Sequence, residues 1–192
     1  MKYYIDITLL PDPEISIHFL WEKVYQKLHL GLVAIKDKND TVALGVSFPS
    51  LNIKRHHLGH QLRVFAPTQQ QLEQFDAPRW FDSLSDYVHL TRIRAVPDTV
   101  KKYGCYFRIQ TQNNNEQLSN RRSRRLNISI DEAMKYFATR EEELIDAPFI
   151  YVKSSSSGER FPLFIGHLEQ AETSEKSFSC YGLSKYSTVP IF

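Results

Sequence analysis

The sequence of 192 residues has few of the features that mark membrane proteins or disulfide-rich secreted proteins. Its two cysteines, Cys105 and Cys180, form neither a disulfide framework nor a CxxC pair. No apolar run approaches the roughly 20 residues that a membrane-spanning helix needs. The first ten residues place Asp6 inside a short apolar stretch and contain no small-residue cleavage site, which argues against a signal peptide. We therefore expect a reduced, cytoplasmic protein without membrane association.

The chain also lacks a strong net charge, because 24 Lys and Arg stand against 22 Asp and Glu, a formal charge of +2. The positive charge is nevertheless concentrated in residues 101–125. This segment holds seven basic residues and one acidic residue, hence a net charge of +6, so the remaining residues sum to −4. The basic residues are Lys101, Lys102, Arg108, Arg121, Arg122, Arg124 and Arg125, and the acidic one is Glu116. A near-neutral total therefore conceals one basic segment on a mildly acidic body.

Hydrophobic periodicity in residues 1–96 predicts strands and helices in the order β-α-β-β-α-β. Residues 3–10 alternate apolar and polar side chains, as a strand does, and residues 14–30 carry apolar side chains at helical spacing. Gly31 then stands where a C-cap glycine would end that helix. Further strands are predicted at 42–48, 61–66 and 87–96, and helical segments at 69–75 and 79–84. This order is typical of a ferredoxin-like (RRM-like) domain.

Residues 97–192 predict a smaller second domain that begins at Pro97. A strand at 103–110 is followed by a helix over 118–126, for which Asn114 and Gln117 form a weak capping box. Ser129 and Glu132 form a clearer capping box for a helix that runs to about residue 139. Apolar runs at 149–153 and 161–165 predict a hairpin, and 178–192 is short, aromatic and irregular. The predicted fold class is α+β.

The arginines of the 118–126 helix are the strongest functional signal in the residues themselves. Arg121, Arg124 and Arg125 share one helix face at spacings of three and four. A guanidinium is a planar fork suited to phosphate, so this stripe predicts nucleic-acid binding. The alternative is a solvated helix face paired with acidic neighbours, but Glu116 and Glu132 lie beyond its ends.

Histidines suggest two further sites. His56, His57 and His60 have no cysteine or carboxylate close by in sequence to complete a metal site, so we expect a surface loop and no bound metal. His29 falls in the last turn of the first predicted helix, where the negative end of the helix dipole favours a cation. It is a candidate catalytic residue, although histidine is also common at helix ends.

Four consecutive serines and a tyrosine near the end of the sequence are the remaining candidate functional residues. Residues 154–157 are four serines followed by Gly158, and no glycine precedes any of them by two positions, so there is no GxSxG nucleophile elbow. They are either a flexible hairpin tip or a functional segment. Tyr181 stands beside Gly182, where an aromatic residue usually packs.

Taken in order, the motifs of nearly the whole chain resemble those of the repeat-processing endoribonucleases of type I-F CRISPR systems. They are DITLLPDPE, KLHLGLV, GVSFP, LGHQLRV, the Arg-rich helix, SSSSGERFPLFIGH, CYGLSK and VPIF. The resemblance implies a ferredoxin-like domain over 1–96 that carries the catalytic histidine. It implies a smaller domain over 97–192 with the Arg-rich helix, a β-hairpin and further catalytic residues.

The resemblance also implies a role for individual residues. His29 matches the catalytic histidine, Ser154 the serine that constrains the ribose, and Tyr181 the tyrosine that orients the histidine. A second serine of the segment falls on Ser156, and the run of serines leaves Ser155 or Ser156 able to take the role of Ser154. The implied RNA-binding residues are Arg108 and Gln110 on a strand, Arg121, Arg122, Arg124 and Arg125 on the helix, and Phe161 beneath the stem. The segment 36–41 is longer than the usual turn of the family.

RNA carries its own nucleophile, the 2′-hydroxyl, so cleavage needs no protein nucleophile, metal or cofactor. The expected function is cleavage of a CRISPR repeat hairpin at the stem base, which leaves a 2′,3′-cyclic phosphate. The expected partners are the repeat RNA and a type I-F multisubunit RNA-guided complex. Two alternatives stay open: an RNA-hairpin-binding subunit without catalysis, and an unrelated hydrolase that uses serine and histidine.

Overall fold

The computed structural model describes residues 1–110, 115–138, 145–154 and 158–192, and only the backbone of 115–117. The chain divides into two compact units. The larger unit combines Met1–Arg108 with Ala147–Phe192, and the smaller unit is Ile109–Asp146. These bounds differ from those of the predicted domains, 1–96 and 97–192, which stay a prediction. Within the described ranges, none of the helices has both the length and the apolar character to cross a membrane.

A five-stranded antiparallel sheet and three helices form the first part of the larger unit. The strands of residues 1–95 are β1 (Tyr3–Leu9), β2 (Thr41–Val42), β3 (Gly45–Ser47), β4 (Gln61–Ala66), β5 (Val88–Leu90) and β6 (Arg94–Ala95). The helices are α1 (Ile17–Ala34), α2 (Gln69–Phe75) and α3 (Ala77–Phe81), and Ile53–Arg55 and Asp82–Leu84 form 3-10 turns. The sheet order is β3-β4-β1-β5, with β6 also paired to β1.

A four-stranded sheet, in the order β11-β7-β9-β8, contains the later strands of the chain. Its members are β7 (Lys102–Ile109), β8 (Phe149–Lys153), β9 (Arg160–Gln170) and β11 (Val189–Ile191). Between β9 and β11, β10 (Phe178–Ser179) pairs with β2. The predicted hairpin is confirmed, because β8 and β9 are antiparallel and in register from Phe149–Phe164 to Lys153–Arg160. The segment 178–192, expected to be irregular, contains β10 and β11.

The β-α-β-β-α-β order of the first 95 residues agrees with the sequence, and the α+β class is confirmed. The predicted strand at 42–48 is divided into β2 and β3, and that at 87–96 into β5 and β6. The ferredoxin-like assignment stays a prediction that this strand order supports.

Helix α1 begins later and ends later than the predicted 14–30. Ser16 caps its start, because the Ser16 hydroxyl accepts a hydrogen bond from the Phe19 N–H. The prediction that Gly31 is a C-cap is wrong, since α1 continues to Ala34. A Cβ at Gly31 would lie 2.5 Å from Phe75 Cε2, so the glycine allows α1 to approach the aromatic side chains of α2 and α3 closely.

The smaller unit contains α4 (Asn115–Leu126) and α5 (Ile130–Phe137). The predicted cap of α5 is confirmed, because the Ser129 hydroxyl accepts from the Glu132 N–H. Asn127, at φ 53°, and the bond from the Ser123 hydroxyl to the Ile128 carbonyl close the turn between the helices. The predicted capping box of Asn114 with Gln117 lies outside the residues whose side chains are described.

A buried ion pair joins the two central strands of the first sheet. Asp6 on β1 and Arg63 on β4 are opposite each other, and each is less than 9% exposed. Arg63 Nε and Nη2 donate to the two Asp6 carboxylate oxygens at 2.6 and 3.1 Å, and Nη1 donates to the Phe192 carbonyl oxygen at 2.7 Å. The guanidinium also lies over the rings of Tyr4 and Phe192, at 4.6 and 4.1 Å from their centroids.

Replacing Asp6 by Ala would leave the Arg63 charge buried without its carboxylate. We expect the free energy of unfolding in urea to fall by about 3–5 kcal/mol, since that is the usual cost of breaking one side of a buried pair. Lys102→Ala is the control, because Lys102 and Glu169 are both exposed and 3.8 Å apart, so little change is expected. An Asp6→Ala variant as stable as the parent would contradict a structural role for the pair.

Candidate active site

His29 lies on α1, only 8% exposed, and its ring is held by a main-chain carbonyl. The Nδ1 atom is 2.9 Å from the Cys180 carbonyl oxygen. Because a carbonyl only accepts, Nδ1 must carry a proton, and the Nε2 lone pair of the neutral ring is then free to accept one. The prediction that His29 lies in the last turn of its helix is wrong, since α1 runs five residues further. The ring is therefore oriented by its contacts and not by the helix end.

Tyr181 covers one face of the His29 ring. The two rings are parallel within 6°, with centroids 4.2 Å apart. Burial raises the pKa of Tyr181, and the nearby positive charge of Arg108 offsets part of that rise. The tyrosine therefore stays a neutral phenol at physiological pH. The stack leaves the imidazole little freedom to tilt, which suits a group that must present one nitrogen in a fixed direction.

Tyr25 is a contributor that the sequence analysis missed. It precedes His29 by four residues on α1, is fully buried, and donates its hydroxyl proton to the Tyr181 carbonyl oxygen at 2.8 Å. Burial raises the pKa of Tyr25 well above its ordinary value, so the hydroxyl remains a donor. Tyr25 and His29 thus bind two successive carbonyls, those of Tyr181 and Cys180. The i, i+4 spacing of Tyr25 and His29 is visible in the sequence, but the same spacing also fits a tyrosine of the hydrophobic core.

Residues 179–183, here called the Cys180 loop, are held by their own backbone and by β3. Gly182 N–H donates to the Ser179 carbonyl, and the Gly182 carbonyl accepts from the Val46 N–H at 3.0 Å. Gly182 has φ +71°, and a Cβ there would lie 2.6 Å from Val46 Cγ1. The glycine is therefore required both by the turn and by its close packing on β3.

The segment 36–41 contacts the Cys180 loop and helps to hold it in place. The Asp37 carboxylate accepts hydrogen bonds from the N–H groups of Asn39 and Thr41 and from the Thr41 hydroxyl, which together lower the pKa of Asp37. Thr41 pairs with Ser179 across β2 and β10, and the Cys180 thiol donates to the Asp40 carbonyl at 3.3 Å. The longer turn noted in the sequence thus contacts the loop that carries Tyr181.

Ser154 lies at the mouth of the serine hairpin, by which we mean β8, residues 154–159 and β9. Its N–H donates to the Glu159 carbonyl at 2.8 Å, and its own carbonyl accepts from the Gly158 N–H at 3.0 Å. Gly158 has φ +72°, a conformation that favours glycine. The backbone of Ser154 is therefore fixed on both sides. Ser156, like Ser155 and Ser157, lies outside the described residues.

Arg108 and Phe161 extend this group of side chains. Arg108 is exposed at the end of β7, and its Cζ lies 5.3 Å from the centroid of the half-buried Phe161 ring. Arg108 is also near enough to Tyr181 to influence its pKa. The larger unit therefore contains two contacting pairs, His29 with Tyr181 and Arg108 with Phe161, and the charge of Arg108 acts on Tyr181. Gln110, the other predicted base-recognition residue, is exposed and belongs to the smaller unit.

The four arginines of α4 divide into two kinds. Arg121, Arg124 and Arg125 are exposed, as the predicted helix face requires. Arg122 is half-buried and lies over the Tyr136 ring of α5, with its Cζ 3.7 Å from the ring centroid. Arg122 therefore contributes to contact between the two helices as well as to the positive charge of α4.

The histidines at 56, 57 and 60 form a loop. His57 Nδ1 accepts from the Gly59 N–H at 2.9 Å, and the His56 backbone is left-handed at φ 49°. Across the described part of the chain, no three His, Cys, Asp or Glu side chains are grouped so that they could hold a metal ion.

Comparison with known proteins gives the family to which this chain belongs. Residues 4–192 match the family model described as CRISPR-associated protein (Cas_Csy4). The chain is 37% identical over 193 residues to the CRISPR-associated endonuclease Cas6/Csy4 of Pseudomonas aeruginosa (strain UCBPP-PA14), and 34% identical over 193 residues to that of Escherichia coli (strain UTI89 / UPEC). Each alignment covers 100% of both chains.

The chain therefore belongs to the Cas_Csy4 family of CRISPR-associated proteins. This confirms the family identified from the sequence motifs, and it confirms that the protein is an enzyme of the endonuclease class. The roles of individual residues stay predictions.

The Tyr25 bond gives a prediction about the Cys180 loop. Tyr25→Phe would remove one hydroxyl and leave the Tyr181 carbonyl without its donor, so we expect the free energy of unfolding to fall by about 1–3 kcal/mol. Urea denaturation followed by fluorescence measures it. Tyr186→Phe, at a side chain that is 74% exposed, is the matched control and should change little. Equal stability of the Tyr25→Phe variant and the parent would mean that the bond contributes nothing.

Proposed function

We propose that this protein is a metal-independent endoribonuclease that cleaves CRISPR repeat hairpins at the base of the stem. The observation that carries the proposal is the arrangement of His29, whose Nδ1 faces the Cys180 carbonyl and whose ring stacks on Tyr181. That arrangement supplies one oriented proton acceptor, Nε2, which is the group that this reaction needs from the protein. The names of the two relatives support a nuclease of this kind.

The reaction follows from the chemistry of RNA. His29 Nε2 takes the proton of the 2′-hydroxyl, the O2′–P bond forms, and the P–O5′ bond breaks. Water gives a proton to the 5′ oxygen as it leaves, and His29 returns the proton it took to solvent, so the products are a 2′,3′-cyclic phosphate and a free 5′-hydroxyl. A neutral imidazole suits this task at physiological pH, and general acid–base catalysis contributes about 10²–10⁴-fold.

Alignment of the ribose must supply much of the remaining acceleration. Ser154 takes this role in our proposal, because its backbone is fixed by Glu159 and Gly158 and its hydroxyl can bind the ribose. Ser156 is the second serine of the proposal. Tyr181 acts as a positioning residue that keeps the imidazole in place.

Substrate recognition is divided between base contacts and phosphate contacts. Arg108 suits bidentate pairing with the O6 and N7 atoms of guanine, and Gln110 suits pairing with the N6 and N7 atoms of adenine. Phe161 would stack on the closing base pair and so set where the duplex ends. The deep, narrow major groove of duplex RNA hides its base edges, so Arg121, Arg122, Arg124 and Arg125 would contact phosphates. We further propose that the cleaved RNA stays bound within a type I-F multisubunit RNA-guided complex.

Cleavage of a labelled repeat hairpin in EDTA tests both the catalytic histidine and metal independence. The parent protein should cut the RNA in EDTA to a cyclic-phosphate product. His29→Ala should slow the single-turnover rate by at least about 10²-fold with little change in Kd, because the imidazole takes part in the reaction and adds little to affinity.

The control is His18→Ala, an exposed histidine on the same helix, which should cleave normally. A parent protein that retains the hairpin uncut would instead support an RNA-binding subunit without catalysis. Restoration of cleavage by added divalent ions would contradict metal independence. Parallel losses of binding and cleavage in His29→Ala would argue against its catalytic role.

The phosphate contacts predict a steep dependence of RNA affinity on salt. If Arg124 binds one phosphate, Arg124→Ala should flatten the slope of log Kd against log salt concentration by about one. Fluorescence anisotropy of a labelled hairpin across a salt series measures the slope. Arg79→Ala, an exposed arginine of α3, should leave the slope unchanged. An unchanged slope in Arg124→Ala would mean that this face of α4 does not contact the RNA.

A further inference from the structure

Three polar side chains lie along one face of α1 and contact two different parts of the larger unit. Glu22, Gln26 and His29 follow at spacings of four and three residues, which places them on the same face of a helix. His29 contacts the Cys180 loop, and the other two contact the serine hairpin. Neither Glu22 nor Gln26 has a place in the reaction proposed above.

Gln26 binds the last residue of β8. Its Oε1 atom accepts a hydrogen bond from the Lys153 N–H at 3.1 Å, across 127 residues of sequence. Lys153 immediately precedes Ser154, so the bond fixes the Val152–Lys153 peptide group, one residue before the proposed catalytic serine. An N–H of an edge strand has no partner within its own sheet on that side, and Gln26 supplies one.

Glu22 binds the strand opposite. Its Oε2 atom accepts from Arg160 Nη2 at 2.7 Å and from Arg160 Nε at 3.1 Å, and its Oε1 atom lies 3.3 Å from the same Nε. Arg160 begins β9 and is the register partner of Lys153. Its guanidinium also lies over the Tyr151 ring, 3.7 Å from the centroid. Both strands are thus attached to α1 at the mouth of the hairpin.

The distances along α1 are set by the helix itself. Three residues separate Gln26 from His29, about 4.5 Å along the axis at the helical rise of about 1.5 Å per residue. A rigid helix that contacts both catalytic segments fixes their separation. An error of about 1 Å in such a separation can cost about 10²-fold in rate.

We propose that Gln26 is a positioning residue that holds Ser154 at the correct distance from His29, with the Glu22–Arg160 pair holding the second strand. The inference deepens the proposed function and depends on it for the role of Ser154. A bond that only stabilised the hairpin would change the free energy of unfolding and leave the cleavage rate of bound RNA unchanged.

Gln26→Leu removes the acceptor and keeps a side chain of similar size. We expect the single-turnover cleavage rate at saturating protein to fall by about 10- to 100-fold. The Kd for a hairpin with a 2′-deoxy nucleotide at the cleavage site should stay within about twofold, and the thermal unfolding midpoint should stay close to that of the parent. Gln69→Leu on α2 is the matched control, because it loses one exposed side-chain bond, to Glu73, and should cleave at the parental rate.

Gln26→Glu keeps an acceptor oxygen in place and should restore most of the cleavage rate. The double variant Gln26→Leu with Ser154→Ala gives the sharpest comparison. If Gln26 acts through Ser154, the double variant should cleave within about twofold of Ser154→Ala alone, since residues that act as a unit are not additive.

A parental rate in Gln26→Leu would overturn the inference while leaving the proposed function intact. Multiplicative losses in the double variant would overturn it as well, because Gln26 would then act independently of Ser154. If Ser154→Ala cleaves at the parental rate, the serine role in the proposed function fails together with the inference. If Gln26→Leu does not fold, the Gln26→Glu variant still tests the inference. A loss of cleavage rate in Gln26→Glu, which retains the acceptor oxygen, would contradict the inference.

Discussion

The hydrogen bond between His29 Nδ1 and the Cys180 carbonyl is the constraint on which the candidate active site depends. It fixes which ring nitrogen carries the proton, and it joins a helix from the start of the chain to a loop near its end. The partner is a main-chain atom, so no side-chain substitution at position 180 removes it directly. Its geometry depends instead on the backbone of the Cys180 loop, which β2, β3 and Tyr25 hold in place.

The residues around His29 and the exposed arginines of α4 lie in different parts of the chain. The residues around His29 belong to the larger unit, whose aromatic contacts and carbonyl acceptors create a site with few charges. Three exposed arginines, Arg121, Arg124 and Arg125, belong to the smaller unit. This arrangement explains why a net charge of +2 is compatible with the RNA binding proposed here. In our proposal, phosphates would be attracted to residues 101–125, which carry a net charge of +6, while the remaining residues, with a net charge of −4, would give nonspecific RNA little to bind.

Local sequence patterns predicted the helices and strands well. They could not predict contacts between residues that are far apart in the sequence. The strands at 61–66 and 149–153 and the helix at 69–75 coincide with β4, β8 and α2 because periodicity and capping are properties of neighbouring residues. Gly31 shows the limit, since its neighbours in sequence suggest a helix end and its neighbours in space, Phe75 and Trp80, explain the glycine. For the site, motifs pointed to His29 and Tyr181. Tyr25 and Gln26 were missed because their partners lie 156 and 127 residues away.

Helix α1 couples the stability of the larger unit to the geometry of the candidate active site. The same helix packs Leu20, Val24 and Leu28 into the core and presents polar side chains to the Cys180 loop and the serine hairpin. A core substitution that shifts the helix would therefore displace His29 and the contacts that orient it together. Because the Cys180 loop and the serine hairpin are both attached to the helix, part of such a shift is shared by His29 and its partners, and their relative geometry changes less than their absolute position. A site built on one rigid helix thus tolerates small adjustments of the core better than a site divided between independent loops.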